Sequence, residues 1–196
     1  MTPVETRSMS ETLKSQAIVL GGLVALMWVV FFATVASGGA LLGFGIIPRS
    51  VIGLRGILFA PFLHGSFAHL LANSIPFAMM GWFVMLRDSR HFVRVTAAAM
   101  LVSGLVAWLL GASGSVHVGA SGLIFGYLGF LMFSGWYTRS IPSIVISVLV
   151  TVMWGGLIFG VLPGQMGISW QAHLGGFIGG ALAARSYRVT TPGAAF

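Results

Sequence analysis

Six long apolar stretches dominate this chain, each close to the roughly 20 residues a helix needs to cross a hydrocarbon layer about 30 Å thick. They run from about Ala17 to Ala36, Ala60 to Leu86, Phe92 to Leu110, Ala120 to Tyr137, Ile141 to Leu162 and Ser169 to Ser186. Charged residues make up 7% of the chain and hydrophobic ones 57%, and the mean hydropathy is +1.00, so too few polar side chains exist to cover a water-facing surface. The expectation is an all-α, polytopic membrane protein whose six transmembrane helices form a bundle over residues 17–186. A cytoplasmic segment at 1–16 and a cytoplasmic tail at 187–196 flank it. The first stretch precedes "TVASGGA", which resembles a signal-peptide cleavage site, but about 20 apolar residues exceed the usual h-region, so it reads as a retained span.

Orientation follows from the basic residues, which concentrate at cytoplasmic span ends. Arg7, Lys14, Arg87, Arg90, Arg94, Arg139, Arg185 and Arg188 all fall on one side, whereas the other side holds Arg49 and Arg55, both in the long first loop. Both termini are therefore expected in the cytoplasm, and the setting is a plasma membrane. Trp136, Tyr137, Trp170 and Tyr187 then lie near the interfaces, as an aromatic belt requires. The net charge of +7 does not indicate a nucleic-acid partner, because the ten basic residues sit singly or in short groups between apolar runs. The absence of cysteine excludes a disulfide framework, a thiol nucleophile and a zinc–thiolate site. The spans show no evident inverted repeat, which argues against a secondary transporter.

Polar side chains inside apolar spans are costly and are the first functional candidates. They are His64, His69, Asn73, Ser121, Gln171 and His173. With the orientation above, the second, fourth and sixth spans all begin on the outer side. Their early turns carry His69 and Asn73, Ser121, and His173 at similar depth. His69 and Asn73 are four apart and share one helix face. Either one alone reads equally as a packing contact to a neighbouring helix.

The acids narrow the chemistry. Glu5, Glu11 and Asp88 are the sole carboxylates, and all three fall at cytoplasmic positions. Two facing aspartates, an HExxH zinc site and a Ser-His-Asp triad are each excluded on that count. A serine–histidine dyad is the nucleophilic arrangement left, with a histidine-only metal site from His64, His69, His117 and His173 as the alternative.

The tetrapeptide GASG occurs twice, offering Ser113 and Ser121 as nucleophiles. Ser113 is followed by Gly114, Ser115 and His117 and reads as loop. Ser121 opens the run LIFGYLGFLMF, which places it at a helix N-terminus, where unpaired amides and the helix dipole can stabilise an oxyanion. For His173 to act as its base the two helices must approach closely, and close approach needs small residues. Gly122 and Gly126 on the fourth span and Gly176 and Gly180 on the sixth have matching four-residue spacing. General helix packing accounts for such glycines equally well.

Three motifs together resemble the rhomboid family of intramembrane serine proteases: "HGSFAHLLANS" in the second span, "GASGLIFG" at the fourth and "AHLGGFIGG" at the sixth. The resemblance runs from about Gly43 to Ala183. It implies Ser121 as nucleophile, His173 as general base, and His69, Asn73 and the Ser121 amide as the oxyanion hole. By the same resemblance, Phe125 takes a position where relatives often carry a tyrosine packed on the catalytic histidine, and His64 has a structural role. Gly119 opens the second motif, and the glycine-rich loop before Ser121 is expected, apart from the resemblance, to admit the hydrolytic water. The chain departs from the family at Leu54-Arg55-Gly56, where many members show a Trp-Arg pair, which bears on how the first loop is anchored. "GIIPRS" looks like a variant found among bacterial rhomboids.

The expected function is cleavage of transmembrane segments of other proteins near the outer face, with no metal or organic cofactor. The bilayer and membrane-protein substrates are the expected partners. The alternatives are a rhomboid-like protein that binds membrane clients without cutting them, and a channel or transporter, against which the lack of intramembrane charge argues.

Overall fold

A capping box fixes where the first helix begins. Ser8 Oγ accepts from the Glu11 amide at 3.3 Å, and the Glu11 carboxylate accepts from the Ser8 amide at 2.8 Å. Helix α1 therefore spans Met9–Ala36, starting about two turns before the expected Ala17. The structure, a computed structural model, describes residues 8–87, 89–165 and 167–186. Glu5, Arg7, Asp88, Tyr187, Arg188 and the tail at 187–196 lie outside the described residues.

Beyond α1 the described residues form α2 (Gly56–Phe59), α3 (Phe67–Arg87), α4 (Ser89–Leu110), α5 (Ser121–Thr138), α6 (Ile141–Trp154) and α7 (Trp170–Arg185). Short 3-10 segments cover Ala40–Phe44, Val51–Arg55, Ala60–Phe62 and Gly155–Val161. No strand is present among the described residues; one antiparallel bridge pairs Ile46 with His117.

Two further expected boundaries shift for local reasons. The second span does not run from Ala60, because Leu63 is extended (φ −93°, ψ 133°) and Ser66 restarts the chain as a helix, its Oγ accepting from the His69 amide at 3.1 Å. His64 thus precedes the helix rather than sitting in it. The fifth span is helical only to Trp154 and continues as a tighter 3-10 coil from Gly155 to Val161.

Four helical runs are long and apolar enough to cross a membrane: Met9–Ala36, Phe67–Arg87, Ser89–Leu110 and Ile141–Val161. Length and composition alone thus support four of the six expected spans. The other two, α5 with 18 residues and α7 with 16, occupy the interior. Twelve α5 residues are buried, among them Leu123, Tyr127, Leu128, Phe130 and Leu131, so protein rather than lipid surrounds it. A helix in that position needs shape more than apolarity.

Polar links brace the outer elements. Trp28 Nε1 donates to Ser74 Oγ at 3.1 Å and Trp82 Nε1 to Gln16 Oε1 at 3.2 Å, joining α1 to α3. The first loop is fastened to the end of α4: Arg49 donates to the Leu109 and Gly111 carbonyls at 3.0 and 2.8 Å, and Trp108 Nε1 donates to the Ser50 carbonyl at 2.8 Å. Those carbonyls lie where α4 runs out of its own amide partners, a position that favours a cation. Arg55, in place of a Trp-Arg pair, donates to the Gly43 carbonyl at 3.0 Å and lies over the Phe44 ring.

Candidate active site

Ser121 is the first residue of α5 and is half-buried. The Ala120 carbonyl accepts from the Leu123 and Ile124 amides, so the Ser121 and Gly122 amides stand ahead of the helix's own hydrogen bonds. Ser113 is exposed in a turn, and its hydroxyl accepts from Arg49 at 2.7 Å. An arginine is no proton acceptor, so nothing there activates that hydroxyl.

His173 lies in the first turn of α7 and is buried. Its Nδ1 is 2.9 Å from the Gly160 carbonyl oxygen. A carbonyl only accepts, so Nδ1 carries the proton and Nε2 holds a free lone pair. The ring stacks on Phe125 with centroids 4.1 Å apart and planes 11° apart. Phe125 is four residues after Ser121 on the same face of α5, so His173 packs against the face that presents the serine hydroxyl. Among the described residues no hydrogen bond links Ser121 Oγ to His173. Such bonds are often long before substrate binds.

Glycine lets these helices meet. A methyl group at Gly176 would collide with the Gly122 carbonyl oxygen, and one at Gly180 with the Gly126 carbonyl oxygen. Both expected pairs thus form a single α5–α7 seam in which backbone lies on backbone. Ser103 of α4 closes it from behind, donating to the Ala172 carbonyl at 2.8 Å.

His69 and Asn73 stand in the first turns of α3. Gly119, at φ +112°, brings the loop before Ser121 so close that a methyl group there would come within 2.5 Å of His69 Nε2. His69 therefore borders the loop that leads into Ser121. Asn73 is buried, and its amide donates back to the His69 carbonyl at 2.8 Å, leaving its second N–H to be directed elsewhere. His64 is fully buried and meets the His69 ring nearly edge-on, with centroids 5.0 Å apart. A cavity of about 20 Å³ behind Ser121 is lined by Ala60, Ser103, His117, Gly119, Gly122 and Ser169 among others. Gln171, the remaining candidate, donates to the Leu110 carbonyl at 3.3 Å and packs α7 on α4.

The four histidines do not converge. His117 is committed to Ser115 and Ser169, His173 to Gly160, and among the described residues no three histidine or carboxylate side chains are grouped to hold a metal.

The rhomboid domain model matches residues 52–188. The chain belongs to the rhomboid family. An uncharacterized protein of Mycobacterium tuberculosis is 40% identical over 196 aligned residues, covering 93% of this chain and 81% of that protein. RHOMBOID-like protein 4 of Arabidopsis thaliana is 34% identical over 134 residues, covering 64% of this chain and 32% of that protein. Rhomboid-like protease 5 of Toxoplasma gondii is 38% identical over 135 residues, covering 64% of this chain and 15% of that protein.

In this rhomboid one participant escapes sequence reasoning. Gly160 contributes a backbone carbonyl, which any residue possesses. Its side-chain requirement is nonetheless strict: a methyl group there would come within 2.8 Å of Phe125 and 3.2 Å of His173 Nδ1. The available signal was the glycine spacing in "GGLIFG", in a segment that reads as plain membrane span.

Proposed function

We propose that this rhomboid is an intramembrane serine endopeptidase that cleaves transmembrane segments of other membrane proteins near the outer face. One observation carries the reading: His173 is stacked on Phe125, one turn beyond Ser121, with Nδ1 held by the Gly160 carbonyl. That carbonyl takes the place of the missing acid, fixing the tautomer and orienting the ring. Ser121 Oγ attacks the substrate carbonyl while His173 Nε2 removes its proton. His69, Asn73 and the Ser121 amide hold the tetrahedral oxyanion. His173 then hands the proton to the leaving amine. Water, deprotonated by His173, attacks the acyl-enzyme and releases Ser121. No metal or organic cofactor enters.

In this reading α1, α3, α4, α5, α6 with its 3-10 extension, and α7 are the six spans of a plasma-membrane protein with both termini cytoplasmic. The dyad opens to the outer side. A substrate helix must unwind to expose its carbonyl, so segments containing glycine or proline should be preferred.

The second reading is a relative that binds membrane clients without cutting them, and it draws on the unformed hydrogen bond between Ser121 and His173. Incubating purified protein with a single-span model substrate separates the two. The protease reading expects cleavage that Ser121→Ala and His173→Ala each reduce by at least about a thousandfold. Binding of the substrate with no cleavage by the unaltered protein favours the client binder.

A further inference from the structure

His117 takes no part in the chemistry above, yet both of its ring nitrogens are engaged. Its Nε2 is 3.0 Å from Ser115 Oγ and its Nδ1 is 2.6 Å from Ser169 Oγ. The direction of each bond follows from the hydroxyls' other partners. Ser115 Oγ spends its proton on the Ala112 carbonyl at 2.7 Å, so it accepts from His117 Nε2–H. Nδ1 is then the acceptor, and Ser169 Oγ–H donates to it. Ser169 Oγ in turn accepts from the Ala172 amide at 3.3 Å, as the N-cap of α7. In this relay each hydroxyl gives one proton and receives one. Burial pushes the His117 imidazole below its ordinary pKa, which keeps the ring in the neutral form the relay needs.

The two ends of the relay matter. His117 lies four residues before Ser121, in a loop whose backbone is fixed: the His117 amide and carbonyl both bond Ile46 at 2.9 Å, and the Gly119 amide donates to the Ala60 carbonyl at 2.8 Å. Ser169 begins the turn that carries His173, whose own amide donates to the Ser169 carbonyl at 3.1 Å. Even the space for the ring is reserved, since a methyl group at Gly111 would come within 2.5 Å of His117 Nε2.

We propose that His117 is a positioning residue which, through Ser169, sets where the first turn of α7 and its His173 stand relative to the loop that delivers Ser121. The inference rests on the dyad reading. Without the link the α5–α7 seam still closes, because Gly180 meets Gly126 farther along both helices. The first turn of α7 keeps its ties to α4 through Ser103 and Gln171 but loses its tie to the loop that leads into Ser121, and displacement of a base by about 1 Å can cost on the order of a hundredfold in rate.

The test uses the full chain in proteoliposomes and measures kcat and KM for a single-span model substrate. His117→Phe and Ser169→Ala should each lower kcat about tenfold to a hundredfold with KM unchanged. The double variant should be no slower than the slower single, because both remove one link. His117→Asn should recover most of the rate, since its side-chain oxygen reaches the place of Nδ1 and can accept from Ser169. Losses that multiply in the double variant, a normal kcat in His117→Phe, or a change confined to KM would each overturn the inference. If His117→Phe does not fold, Ser169→Ala decides alone, and an unaltered kcat there refutes it. Ser121→Ala separates the two levels: cleavage surviving that substitution sinks the protease reading. Cleavage lost in Ser121→Ala but normal in His117→Phe sinks only the role of His117.

Discussion

The α5–α7 seam and the outer helices α1 and α6 solve the same problem, a helix in an apolar setting, with opposite residues. At the seam Gly122, Gly126, Gly176 and Gly180 remove side chains until the backbones touch. On α6, Ile141 and Val152 are 78% and 79% exposed, and on α1 Gly21 and Gly22 have nothing within 4 Å of a notional methyl group. Lipid accepts any apolar surface, so the periphery is specified by composition and tolerates change. The seam is specified by shape, and under the proposed dyad a hydroxyl and an imidazole on different rods can meet only if the rods come closer than side chains ordinarily permit.

The largest effect should come from filling the seam. Gly180→Leu drives a side chain into the Gly126 carbonyl and should prevent recovery of folded protein from detergent extracts. Gly22→Leu on α1, also glycine to leucine, should fold normally and gain up to about 1 kcal/mol of helix propensity. Equal loss from both, read by size-exclusion chromatography and thermal unfolding, would erase the distinction between the regions.

A smaller effect is expected one layer out. Phe125→Ala removes the surface on which His173 stacks and should cost about 3–5 kcal/mol of stability as well as at least tenfold in cleavage. Phe125→Tyr should preserve both. The peripheral counterpart, Phe32→Ala on α1, should change stability by no more than about 0.5 kcal/mol. Cleavage by Phe125→Ala at the unaltered rate would show that the stack does not hold the base.

The smallest effect belongs to the lipid face. Val152→Leu should leave thermal stability within about 0.5 kcal/mol and cleavage unchanged. Sensitivity there would mean that α6 packs against something other than lipid.

The same contrast explains what the sequence disclosed. Outer helices announce themselves by apolar length, and the matched glycine pairs mark the seam. The settings of the two serines were legible too, Ser121 at a helix start because the apolar run LIFGYLGFLMF follows it and Ser113 in a turn because no apolar run does. Boundaries were less legible. The Ser8–Glu11 box extends α1 outward, and Ser66 delays α3 until after His64, since a cap outweighs a hydropathy average taken across it. The contacts of Gly160 and Ser169 were hidden for a different reason. Each acts through its partner's geometry, a carbonyl against an imidazole in one case and a hydroxyl between a ring and an amide in the other. His117 was visible only as a possible metal ligand, a reading the dispersed histidines do not support.

The central claim, that His173 activates Ser121 across the seam, is tested most directly by mapping the adduct of a fluorophosphonate probe by mass spectrometry on the membrane-embedded protein. The account predicts modification at Ser121, abolished by Ser121→Ala and strongly slowed by His173→Ala. An adduct at Ser113, or one at Ser121 that forms equally fast without His173, would contradict it.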